Sequence, residues 1–339
     1  MNAYQNSLAH LSEELKRLDL LLHIQALQSR KQHQQHEYEF ATIASASLLE
    51  GFQGLVMSEE EIDNLLSENL REHHQYSNLD PSDLMDALEK IGVQIQTKRN
   101  ASLEQGVYLS LPHLSYLFQL TPFEEQIVLL CLAPELDRKY ERIYAYLQND
   151  ITQKKPGIDF VLSLLCGSPE EKLAARRVFS IDAPLLKYQL LQFSSESSEQ
   201  PVPLLSRSLK LNNRIVNFIL GIGQLDEKID FFARLAQPQT TLRQAQGDAW
   251  EQVQTTEELK VRLRSLTQWY FQQSQQAREK LIYLFQGNYG TGKRAMAEAL
   301  CQELKIQMVI ADVAAMLNGR IPFEESVWLL FREALLLPA

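Results

Sequence analysis

The chain has 339 residues, 45% hydrophobic and 22% charged, a composition ordinary for globular proteins at a length for two or three domains. Its 33 basic and 43 acidic residues give a net charge of −10, which argues against broad binding to DNA or anionic membrane and leaves room for a local basic patch. No apolar run approaches the roughly 20 residues of a membrane span, no basic-then-apolar leader is visible, and Cys131, Cys166 and Cys301 read as buried free thiols, so a cytoplasmic location is expected.

Residues 1 to 38 read as one long helix. Leu8, Leu11, Leu15, Leu18 and Leu22 form a heptad seam that fades at Gln25 and Ser29, so packing within its own domain is expected over a coiled coil. His33 and His36 can share a face, but no third ligand joins them and no metal site is assigned. Ser58 and Glu61 form a capping box opening the next helix. "LDPSDLMDALEKIG" predicts a helix opened at Asp80-Pro81 and stopped at Gly92. "VQIQTKRNASLEQGVYLSL" alternates at its two ends and predicts a hairpin.

Residues 121–222 are dense in helical patterns. Thr121 is an N-cap, with Pro122 in the first turn and Glu124 and Glu125 after it. "DRKYERIYAYLQND", "IDFVLSLLCGS", "SPEEKLAARRVFS" and "LNNRIVNFILGIG" continue the helices. "LLKYQLLQF" and "PLLSRSLKL" are predicted strands around the soft turn "SSESSEQPVP". Helices followed by a two-stranded ribbon predict a winged helix. Its basic residues, such as Arg138, Lys154, Arg176 and Arg177, are interleaved with acids. No helix shows a base-reading face, so protein contact is favoured over DNA reading, and nucleic acid is not an expected partner. Residues 235–256 are glutamine-rich and read as a linker. An amphipathic helix follows, with Leu259, Leu263, Leu266 and Tyr270 on its apolar face.

The chemistry lies in "LIYLFQGNYGTGKRAMAEAL". Gly287, Asn288, Tyr289, Gly290, Thr291, Gly292 and Lys293 fit G-x-x-x-x-G-K, a phosphate-binding loop without its last residue. Close-set backbone N–H groups suit a polyphosphate, glycines tolerate the dihedrals, and Lys293 adds a positive charge beside a helix N-terminus. "KLIYLFQG" and "IQMVIADV" are predicted buried strands, with helices at "RAMAEALCQEL" and "FEESVWLLFREALL". Strand, loop, helix, strand, helix predicts the beginning of a doubly wound α/β domain. With so few strands its edge is uncovered, and 281–339 is expected to be aggregation-prone in isolation. Arg294 stands where Ser or Thr would ligate Mg²⁺, which puts metal placement in doubt. Asp312 comes too early to be the acid of a hydrolytic site, and no catalytic residue is assigned.

"GNYGTGKR", with "LTPFEEQIVLLCLAPELDRKYERIYAYLQNDIT" and "FSIDAPLLKYQL…PLLSRSLKLNNRIVNFILG" upstream, resembles bacterial AAA-type ATPases that carry a helical and winged-helix region ahead of the ATPase module. The resemblance implies a mostly α N-terminal region at 1–117, a winged-helix-like domain at 118–234, the linker at 235–256 and the first part of an AAA-type P-loop α/β domain at 257–339. It implies ATP as ligand at Gly287–Lys293, with Arg294 at the variant place. It also implies a ring-forming homo-oligomer that remodels protein partners, a phage-tail-like contractile machine among them. Walker B, sensor and arginine-finger residues have no counterpart, so the chain is expected to be cut before Walker B, with an incomplete active site. The alternative is a non-catalytic protein-interaction module built on the winged-helix region.

Overall fold

The computed structural model describes residues 3–40, 59–67, 81–194, 202–236, 250, 253, 255–273, 281–288 and 290–337. The described part is mostly helical. Contacts divide the chain into two compact units, Met1–Gln224 and Leu225–Ala339.

The first unit is organised on α1 (Ser7–Phe40). Leu11, Leu18, Leu20, Leu22, Ile24 and Ala26 of α1 are all buried, so the helix is enclosed within its own unit, as its short heptad seam predicts. Leu8, the first seam residue, faces solvent. The helix α2 (Glu59–Ser67) contributes Ile62 and Leu66. Its expected cap, Ser58, lies outside the described residues.

The hairpin expected after Gly92 is not formed. Helix α3 runs unbroken over 24 residues, Pro81–Glu104, through Gly92. Leu84, Leu88, Ile91 and Ile95 recur at spacings of four, three and four, a helical seam that α1 can cover. Leu84, Leu88 and Ile91 pack with Leu20, Ile24 and Leu27 of α1, while Tyr4 N donates to Ser102 Oγ near the far end (2.8 Å). Burial along this seam outweighs the about 1 kcal/mol that a mid-helix glycine costs.

The core continues through α4 (Ser110–Phe118) and α5 (Pro122–Leu136). Thr121 caps α5 as expected, and Glu124 returns the bond: its carboxylate accepts from Thr121 N (2.8 Å). Every residue from Ile127 to Ala133 is buried. Helix α6 (Lys139–Leu147) places Tyr144 against α5, where its hydroxyl donates to Leu130 O (2.9 Å). The three cysteines are free; Cys131 is buried, while Cys166 and Cys301 are partly exposed rather than enclosed.

Helix α7 (Ile158–Leu165), α8 (Pro169–Ala175) and the single turn α9 (Pro184–Lys187) lead into β1 (Leu191–Phe193) and β2 (Leu209–Leu211). The two strands pair antiparallel with Gln192 opposite Lys210, which is the predicted ribbon. Its turn, 195–201, lies outside the described residues. Helix α10 (Asn213–Ile219) closes the unit, capped by Asn212.

The second unit contains β3 (Ala233–Leu235), α11 (Glu257–Gln273), α12 (Lys293–Leu304), β4 (Val309–Ala311), α13 (Val313–Leu317) and α14 (Phe323–Leu336). The helices at 293–304 and 323–336 match expectation. The parallel pair of strands does not: β4 pairs antiparallel with β3, Arg234 opposite Ile310, and 281–288 joins no strand. Tyr283 and Phe285 pack on a cluster of Trp250, Val253, Leu263, Met296, Ala299 and Leu300, whereas Ile282 and Leu284 are 84% and 89% exposed. An extended segment seated by one face needs no sheet neighbour to bury its aromatic residues. Trp250 and Val253, inside the stretch read as linker, are buried there.

The apolar face of α11 is also rotated from expectation. Lys260, Leu263 and Thr267 are buried, and Leu259 and Leu266 are exposed. Thr267 explains the choice: its hydroxyl meets Tyr283 OH at 2.6 Å. A second cluster joins Ile229, Phe232, Ala233, Met316 and Leu329. Above it, buried Arg332 of α14 is paired with Asp226 and lies 3.4 Å from Glu333.

Candidate functional site

The glycine-rich loop ends on the first residue of α12. Gly290 and Gly292 have φ of 84° and 80°, left-handed values that favour glycine. Gly292 is the N-cap and provides no side-chain cap, so the first N–H groups of α12 have no partner from that residue. Thr291 Oγ1 donates to Asn288 O (2.9 Å), bracing the turn from within. A methyl group on Gly287 would approach Thr291 Oγ1 to 3.1 Å.

Lys293 curls back over this loop. Its Nζ donates to Gly287 O (2.8 Å) and Asn288 O (2.7 Å), with Thr291 Oγ1 at 3.3 Å. All three acceptors are neutral, and no carboxylate pairs with this ammonium among the described residues. An uncompensated cation at a helix N-terminus, over a loop of backbone amides, is suited to an anion with several oxygens. Gly287, Asn288, Gly290, Thr291, Gly292 and Lys293 are thus brought together. Tyr289 lies outside the described residues.

Arg294 is directed differently. Its Nε donates to Glu298 Oε1 (2.7 Å) one turn along α12, with both side chains at the surface. The i, i+4 spacing of Arg294 and Glu298 makes this pair legible in sequence, although it was not among the expected site residues. The magnesium that usually accompanies such a loop needs oxygen ligands in octahedral array. A guanidinium has no lone pair to give, and the Thr291 hydroxyl is already turned to Asn288 O with the Lys293 ammonium beside it. Asp312 Oδ1 accepts from Ala314 N and Ala315 N as the cap of α13. No group of three or more His, Cys, Asp or Glu side chains able to hold a metal occurs among the described residues. The residues present do not fit the ion.

The scaffold behind the loop is polar at one point. Glu303 Oε2 accepts from Trp250 Nε1 (2.8 Å) and from Arg264 Nε (2.9 Å), and the Arg264 guanidinium lies 5.0 Å over the Trp250 ring. The C-terminal end of α12 is thereby fixed to α11.

In the first unit, the ribbon gains a third member. Gly157 bridges Ser208 antiparallel, with Ile158 N donating to Arg207 O (3.0 Å) and Leu209 N to Pro156 O (2.8 Å). The two strands with this bridge, helices α7 to α9 ahead of the ribbon and α5 packed beneath it form a compact helix-and-wing motif. The match that decides its kinship covers residues 1–233, to the winged helix domain, variant family. The chain belongs to this winged helix family. Neither a curated protein nor a solved structure matches it. In this winged helix chain the turn before the wing, α9, has only four residues, with Leu185 buried. Arg207 stacks on Phe193 of the wing (5.0 Å), and Lys155 Nζ donates to Ser194 Oγ (3.0 Å). Among the described residues, no helix is long and apolar enough to cross a membrane.

Proposed function

We propose that this winged helix protein binds the polyphosphate of a nucleotide, ATP by resemblance, at Gly287–Arg294, while the winged-helix unit contacts a protein partner. The supporting observation is the Lys293 ammonium, held by neutral oxygens alone over a loop with two left-handed glycines at the start of α12. A phosphate group would accept from that ammonium and from the first amides of α12 together. Hydrolysis is not part of this reading, because Asp312 is engaged as the cap of α13. Assembly into a ring that remodels proteins is what the AAA resemblance adds for a protein carrying a complete module. Titration with a fluorescent ATP analogue tests the site. Lys293→Ala should weaken binding at least about tenfold, the loss of one charge-assisted bond. Unchanged affinity in that variant would sink the assignment.

A second reading, interaction without nucleotide, rests on the winged-helix unit itself. A DNA-reading helix presents several basic and polar side chains along a groove, whereas the basic residues of this unit are interleaved with acids. Leu173 and Ile181, flanking Arg176 and Arg177, are 69% and 82% exposed, a mixed surface that suits a protein contact. A gel shift at moderate salt separates the partner classes: specific retardation of DNA would count against protein contact.

A further inference from the structure

We propose that this loop, on the nucleotide-binding reading above, takes its nucleoside triphosphate without a divalent cation, Arg294 bringing the charge that a metal would bring elsewhere. The disagreement between the donor set and magnesium is the starting point. Position 294 holds a cation in place of an oxygen ligand, and it follows directly on the Lys293 ammonium. Two adjacent positive side chains at the N-terminal end of a helix repel a dication and attract a polyanion.

Arg294 has a reason to move to a phosphate. Its present partner, Glu298, lies one turn further into α12, and the pair is open to solvent, the arginine side chain 56% exposed. An exposed i, i+4 pair holds weakly, and an exposed side chain changes rotamer quickly. Helix side chains lean toward the N-terminus, the direction of the loop. A metal-free triphosphate carries more negative charge than its magnesium complex, so it gains more from a second cation. The guanidinium fork can also take two phosphate oxygens at once. Glu298 then acts as a counterweight, holding Arg294 while the loop is empty.

The experiment is ATP titration of the full chain in excess EDTA and again in excess Mg²⁺, for the wild type and for Lys293→Ala, Arg294→Thr, Arg294→Lys and Glu298→Gln. Each variant is checked by circular dichroism; positions 294 and 298 are at the surface, so folding should be kept. Wild-type affinity should be higher in EDTA than in excess Mg²⁺, where most of the triphosphate is already bound to the dication. In EDTA, Arg294→Thr should lose about tenfold or more. Mg²⁺ should restore part of that loss, because a hydroxyl ligand is then in place. Arg294→Lys should fall between the two, and Glu298→Gln should bind about two- to threefold tighter in EDTA. Binding that Lys293→Ala abolishes but that requires Mg²⁺ would overturn this inference and leave the loop reading intact. An Arg294→Thr variant equal to wild type in EDTA would do the same. Absence of ATP binding in both buffers would overturn the loop reading and this inference with it.

Discussion

Lys139 Nζ lies 2.8 Å from Asp19 Oδ2 across 120 residues of chain, with both side chains buried. The pair ties α6 to the central helix α1, and the Lys139 ammonium also sits 4.9 Å over the Tyr140 ring. Burying the two charges is costly in itself, so the pair's net stabilisation is small, but removing one partner leaves a buried charge uncompensated. Asp19→Ala should therefore destabilise the first unit by about 3–5 kcal/mol. The double variant Asp19→Leu, Lys139→Met should recover most of that loss. Urea unfolding followed by circular dichroism measures both. Equal destabilisation in single and double variants would show that packing, not charge, sets the cost.

Gly92 sits in the middle of α3 with nothing within 4 Å of where a Cβ would be. Its backbone is helical, so alanine fits without strain. Gly92→Ala should stabilise the protein by about 0.5–1 kcal/mol, through lower entropy of the unfolded chain and higher helix propensity. A shift of the unfolding midpoint to higher urea at constant slope is the expected result. A lower midpoint would mean that a break at Gly92 is favoured.

What could be read from the sequence was what neighbouring residues decide. The Thr121 cap, the long α1 and the glycine-rich loop each depend on residues a few positions apart. The errors came where a distant partner chooses between two periods. Residues 93–111 carry an alternating pattern at their two ends, yet 93–104 continue the helix begun at Pro81, whose seam at Leu84, Leu88 and Ile91 packs with Leu20, Ile24 and Leu27 of α1. Leu263 appears in both versions of the α11 face, and the Tyr283 hydroxyl decides that Thr267, not Leu266, turns inward. The apolar run "KLIYLFQG" has the composition of a buried strand. Its aromatic residues are instead buried against α12 and Trp250, with no sheet around them. At the loop, the motif residues are neighbours in sequence, whereas the pairing of Arg294 with Glu298 rests on a side-chain distance.

Acid should loosen the first unit. His23 is mostly buried, and burial lowers its pKa; Asp63, 3.6 Å away, pushes it up in part, and Arg30 lowers it further. A folded-state value below the usual 6.5 means stability that is complete above the unfolded pKa and lost as pH falls through the folded one. Glu14 has the same sign at lower pH. Burial alone would raise its pKa, but His10, 3.5 Å away, and Arg17 outweigh it and hold the carboxyl below its usual 4.5. The urea midpoint should therefore fall from about pH 6.5 downward, and His23→Gln should flatten the upper part of that fall while leaving the part below pH 4.5 to Glu14. A midpoint independent of pH across the upper range would contradict a buried neutral His23.

Gly292 separates shape from charge at the loop. Its φ of 80° costs a residue with a Cβ about 1 kcal/mol or more, yet nothing stands within 4 Å of that Cβ position. Gly292→Ala should thus leave the fold intact and disturb only the backbone path that brings the first amides of α12 together. On the nucleotide-binding reading, ATP affinity should drop about fivefold or more, in EDTA and in Mg²⁺ alike, because backbone geometry matters in both buffers. Arg294→Thr, by contrast, should lose affinity mainly in EDTA. Gly290→Ala, with φ of 84°, serves as the second test of the same backbone path. If both glycine variants bind ATP as the wild type does, the backbone amides of this loop do not hold the phosphates.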